Sequence, residues 1–313
     1  MNELADETKK AALPDIYGLS NLSRVEAQEA WATISAFAPE VRLRLVERMV
    51  EVAESDFEVD FGELFRLALE DDCAEVRRVA VEGLWEDEDV RLIPPLIARL
   101  RDVDASVRAA AATSLGRFML LGELGKIRPQ PFQQTYQALL AAYAVADEVP
   151  AVRRRVLESL AYSGEETVAQ LIRQAYQDED ESMRVSAVFA MGRSADERWA
   201  PEALRELYHP NPAMRYEAAR ACGELGLETA ITTLLELVDD VDSEVQEAAI
   251  WALGQIGGEE ARRTLTACSR SENEAVRSAA REALREFELL HGDIGAFLMF
   301  DFFDEDEEEN DPW

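Results

Sequence analysis

The stretch DVDSEVQEAAIWALGQIG, residues 240–257, decides how the rest of the chain is read. Asp242 stands where a turn gives way to a helix, and its carboxylate is suited to accept the free N–H groups of a first turn. Val245, Ala249 and Leu253 then recur every four residues, which places them in one buried stripe on one helix face. Gly254, followed by Gln255-Ile256-Gly257-Gly258, reads as loosening and then ending that helix. A second amphipathic helix, as in AITTLLEL (230–237), completes a helix–turn–helix unit.

The same frame recurs along the chain. Its marker is an apolar residue followed by Arg, at Arg42, Arg77, Arg108, Arg153, Arg184, Arg215 and Arg277, with Gln246 standing in once. The intervals are 35, 31, 45, 31, 31, 31 and 31 residues, and five identical values among seven establish a repeat. Four residues before the marker stand Asp104, Asp180, Asn211, Asp242 and Asn273; three after it, Ala80, Ala111, Ala187, Ala218, Ala249 and Ala280. Seven after it, Leu84, Leu115, Leu160, Met191, Cys222, Leu253 and Leu284 fill an apolar column. The marker arginines are expected to bond turn carbonyls or the Asx residues of an adjacent repeat. No segment shows the period-2 alternation of a strand.

With DVDASVRAAAATSLG (102–116) and NPAMRYEAARACGELG (211–226), these stretches resemble HEAT repeats, most closely the short bacterial repeats named after phycobilisome lyases. The expected fold is therefore all-α, a right-handed solenoid of about eight HEAT-like helix pairs. The divisions expected are a capping segment over 1–38, an array over 39–290 and a tail over 291–313. Ser23 opens a capping helix reaching Ala36, Pro39 opens the next helix, and 13–22 reads as extended. Fourteen additional residues fall in 117–135, expected as a longer helix and a turn.

Composition narrows function. The 313 residues carry 64 Asp and Glu against 32 Lys and Arg, a formal charge of -32, with 48% hydrophobic residues. That much apolar content supports a core, and that much negative charge opposes unaided binding to phosphate backbones or anionic membranes. Three scattered cysteines suit a reducing, cytoplasmic compartment. Only His209 and His291 exist, neither with a second ligand at metal spacing, so no catalytic residue, metal or cofactor is expected. The Asp-rich turns lack a full calcium loop.

Two places remain for a partner. One turn apart and off the buried stripe, Phe189, Tyr216, Arg220 and Trp251 belong to successive repeats, as aromatic and Arg anchors of the kind enriched at interfaces. The resemblance implies that second helices line a concave face, where these four would gather. The tail places Phe297, Phe300, Phe302 and Phe303 before and among the first of eight acids, with Trp313 after them, a segment suited to docking on a partner or on its own array. The expected function is a non-enzymatic protein-binding scaffold or chaperone-like adaptor with a basic protein partner, no direct nucleic acid and no membrane. The alternatives are a bilin-lyase-type enzyme or subunit, which the resemblance implies, and an acidic mimic sequestering a nucleic-acid-binding protein.

Overall fold

A computed structural model describes residues 16–291, and within them every regular element is helical. Sixteen α-helices follow one another as eight pairs. The pairs are α1 (Arg24–Ile34) with α2 (Pro39–Ser55), α3 (Gly62–Ala68) with α4 (Ala74–Gly83), α5 (Ile93–Arg99) with α6 (Ala105–Glu123), and α7 (Pro129–Tyr143) with α8 (Pro150–Leu160). Then come α9 (Glu166–Tyr176) with α10 (Glu181–Arg193), α11 (Ala200–Glu206) with α12 (Pro212–Glu224), α13 (Ile231–Leu237) with α14 (Ser243–Ile256), and α15 (Glu259–Cys268) with α16 (Glu274–His291). Every marker residue lies on the second helix of a pair, and the fold class is an all-α solenoid.

The chain divides within α9 into two compact units, Met1–Ile172 and Arg173–Trp313. In the first, α2, α4, α6 and α8 stack in order; in the second, α10, α12, α14 and α16 do the same. The stripe read from the sequence forms the core of each stack: Ala187, Met191, Ala218, Cys222, Ala249 and Leu253 are all fully buried. A single helix pair has too little apolar surface to stand alone, so stacking supplies the stability.

Four of the marker arginines, Arg42, Arg77, Arg108 and Arg215, join one turn to the next, while Arg153, Arg184 and Arg277 bond carbonyls of the turn before their own helix. Arg215 donates from its NH1 to the carbonyls of His209 and Pro210 (2.9 and 3.1 Å), and from Nε and NH2 to both oxygens of Asp240 (2.8 and 2.7 Å). Arg77 repeats the pattern with the Asp71 and Asp72 carbonyls and the Asp102 carboxylate. Arg108 does so with the carbonyls of Asp102 and Val103 and the carboxylate of Glu148. Asp102 and Asp240 each stand two residues before an Asx cap, Asp104 and Asp242, whereas Glu148 directly precedes Val149 at the start of α8. Asp240 also accepts the N–H of Asp242, which in turn caps α14 by accepting from Glu244. Gln246 keeps the carbonyl half, donating from Nε2 to Asp240 at 2.7 Å.

One local reading gains a second cause and one changes. Helix α14 ends at Gly257, within the glycine-bearing segment expected to end it, where φ is +84°, and α10 and α12 end one residue after Gly192 and Gly223. The glycines eight residues after the marker also let successive second helices touch. A Cβ on Gly223 would come within 2.7 Å of the Trp251 ring and 2.9 Å of Ala252 Cα, and one on Gly192 within 2.8 Å of Ala221 Cα. The segment before α1 is a turn rather than extended chain: Ile16 and Leu19 are buried, and Asn21 bonds the Asp60 and Glu58 carbonyls. Ser23 and Glu26 form a reciprocal capping box at the start of α1. The additional residues of 117–135 lengthen α6 to 19 residues and then turn at Gly125, with the Phe132 ring lying against Gly122.

Candidate functional site

Phe189, Tyr216 and Arg220 lie together in the second unit, lining a cleft of about 100 Å³ between α10 and α12 with Arg193, Glu217, Ala221 and Glu224. Trp251, on α14, is outside the lining, but the Arg220 guanidinium lies over its ring, 3.6 Å from the centroid. Phe189, Tyr216, Arg220 and Trp251 are all half-buried. The repeat explains the gathering. Two columns, one and five residues after the marker, bring side chains of three stacked helices into register, and the Gly192 and Gly223 contacts draw the helices close enough for them to meet.

The polar wall of the cleft escaped the sequence reading. Arg193 lies over the Phe189 ring at 5.2 Å and pairs with Glu224 at 3.1 Å. Arg220 approaches the same carboxylate at 3.7 Å. Two guanidinia, each over an aromatic face, thus share one acid. Glu224 Oε2 lies against Gly192, where a Cβ would approach it to 2.7 Å, so the glycine makes room for the carboxylate. Burial pushes the Glu224 carboxyl above its ordinary value, and the neighbouring Arg193 and Arg220 offset only part of that. The signal that finds this wall is the column nine residues after the marker: Arg193 meets Glu224, and Gln255 meets Glu286 at 2.6 Å, each a repeat apart.

No thiol in the described chain is activated. Cys222 is fully buried and its thiol is pushed up to about 12, while burial also raises Cys73 and Cys268. His209 serves its turn, its Nδ1 accepting the Asn211 N–H at 3.1 Å, and His291 Nε2 lies 2.9 Å from the Gln255 carbonyl. Among the described residues no three His, Cys, Asp or Glu side chains gather as a metal-holding group, and no helix is long and apolar enough to cross a membrane. Phe297, Phe300, Phe302, Phe303 and Trp313 lie outside the described residues.

Comparison with known proteins places this geometry. Residues 63–129, 136–209 and 201–285 match HEAT repeats. The chain is 32% identical over 90 residues to an uncharacterized phycocyanin operon protein Z of Pseudanabaena tenuis, a match covering 29% of this chain and 45% of that relative. The aligned region therefore spans less than half of the relative's length. Among solved structures, a chain from the complex of CpcE and CpcF of phycocyanin lyase from Nostoc is 17% identical with a TM-score of 0.56, covering 87% of this chain and 98% of that one. A human deoxyhypusine hydroxylase is 19% identical, with a TM-score of 0.36 over 85% of this chain and 97% of that one. The solenoid is thus shared with lyase-type proteins at the level of fold. With repeat matches over more than half of its length, the chain belongs to the HEAT-repeat family.

Proposed function

We propose that this protein is a non-enzymatic scaffold or chaperone-like adaptor that holds a protein partner on the second-helix face around Phe189, Tyr216, Arg220 and Trp251. The observation that carries this reading is a half-buried aromatic and arginine cluster presented in register by three stacked helices. Aromatic rings and guanidinia supply large contact area at small entropic cost, and such residues dominate interface energetics. The formal charge of -32 favours a basic partner, whose approach the acidic turns would accelerate. The paired substitution Phe189→Ala and Trp251→Ala tests the reading through affinity capture from native lysate. The scaffold reading expects a defined captured protein to be lost from the variant, and an unchanged captured set overturns it.

A second reading, a lyase-type enzyme or enzyme subunit, is favoured by the likeness to the phycocyanin lyase chain and to the phycocyanin operon protein. Here the same cleft would face a chromophore. Incubation with free bilin and measurement of the visible spectrum separates the two. A shifted absorption band that Trp251→Ala abolishes supports the lyase reading; an unshifted spectrum leaves the scaffold reading standing.

A further inference from the structure

In the inner repeats of the second unit, each second helix turns two columns toward the following layer. Four residues after the marker these are Val188, Ala219 and Ile250, all fully buried. Eight residues after it they are Gly192, Gly223 and Gly254, which touch Ala221, Ala252 and Ala283 of the next helix. On α16 the same two columns hold Arg281 and Arg285, both exposed. Between them Leu284 is half-exposed, although Met191, Cys222 and Leu253 in its column are fully buried. Further along, Leu289 and Leu290 are 76% and 58% exposed. Arg277, the marker, is occupied by the Ser271 and Glu272 carbonyls. Arg281 and Arg285, one helical turn apart, have no ion-pair or hydrogen-bond partner among the described residues. The end face of the array is therefore a pair of guanidinia beside exposed leucines, in a chain whose net charge is -32.

We propose that this end face is the docking site for the chain's own segment 297–311, with its acids on Arg281 and Arg285 and its phenylalanines on Leu284 and Leu289. Charge complementarity argues for that occupant. Residues 301–313 hold eight acids and no base, and four phenylalanines lie in 297–303, directly before and among the first of them. Position argues for it as well. His291 is held by its contact with the Gln255 carbonyl and lies against the Phe287 ring at 5.0 Å, so the chain leaves α16 from a fixed point. Arg281 lies ten residues back along the helix, about 15 Å away. The ten residues from 292 to 301 can reach about 33 Å when extended. A segment lying there would cover the leucines and present acids outward, opposing the stacking of a second copy on this end.

The test uses the full chain carrying Arg281→Lys, which keeps the charge and introduces an amine. The only lysines present are Lys9, Lys10 and Lys126, all in the other unit. Zero-length carbodiimide coupling of an equal mixture of light and heavy-isotope protein is followed by mass spectrometry. The proposal expects links between position 281 and the acids of 301–311 within one isotopic population, reduced about fivefold or more in about 1 M salt. Absence of those links overturns it, and so do links joining light to heavy chains, which would show a second copy on the face. In a parallel measurement, Arg281→Glu with Arg285→Glu should speed proteolysis of the segment several-fold while helical circular dichroism is unchanged. An unaltered rate also overturns the proposal.

Discussion

Asp240 meets three demands at once. Its carboxylate takes two bonds from Arg215, the same group accepts the Asp242 N–H, and its carbonyl accepts from Gln246. The Arg215 hydrogen bonds hold its carboxyl below the ordinary value. A depressed carboxylate contributes stability that is present above the unfolded-state value, about 4, and is lost as pH falls through the folded one. Asp240→Asn should therefore cost about 2 kcal/mol in urea unfolding near pH 7. The gap from the parent should close as the pH falls below about 4. Glu224 has the opposite sign. Its carboxyl is raised by burial, so its favourable contribution exists at low pH and disappears as pH rises through the folded value. Glu224→Gln should leave stability equal or higher at pH 7, and thermal melts should show that advantage vanishing in acid.

At the scale of elements, the glycine column shows where reading a sequence falls short. Glycine after an apolar stripe has a familiar local meaning, the end of a helix, and Gly257 has that meaning here. Gly192, Gly223 and Gly254 answer a further demand, because each also meets the helix of the next repeat, 31 residues on. Local pattern cannot show that contact, although the strict period could have prompted the search for it. Gly223→Ala makes the distinction measurable. Alanine gains about 1 kcal/mol of helix propensity, but the added methyl meets the Trp251 ring and the α14 backbone. Overpacking of this kind costs about 1–3 kcal/mol, so net destabilisation is expected in chemical unfolding. A gain in stability would contradict the demand set by the neighbouring helix. The arginine ladder was legible only in half for a similar reason. The Asx cap falls in a tidy column, whereas the carboxylate that receives the guanidinium is Asp102, Glu148 or Asp240, at varying distance from its arginine.

For the whole molecule, what was plain in the sequence was what repeats: the period, the all-α class, the eight helix pairs and the buried Ala and Leu columns. The aromatic cluster was legible too, because its members share two columns. Its polar wall of Arg193 and Glu224 was hidden, since each acid or base looks ordinary in a chain with 64 acids until stacking pairs them. The same excess has a global cost. Self-repulsion at -32 should weaken the folded state at low ionic strength, so the melting temperature should climb as salt rises from low to physiological levels. Partner capture, in contrast, should slow over that range if acidic turns steer a basic protein. On the proposed reading, the face bearing Phe189, Tyr216, Arg220 and Trp251 receives a protein. The most direct test of that reading is a photoreactive phenylalanine analogue placed at Phe189, compared with one at Tyr208, which is 68% exposed elsewhere on the same unit. Irradiation in native lysate should give a discrete protein adduct from position 189 and none of that mass from position 208. No adduct at 189, or the same adducts from both positions, would contradict the account.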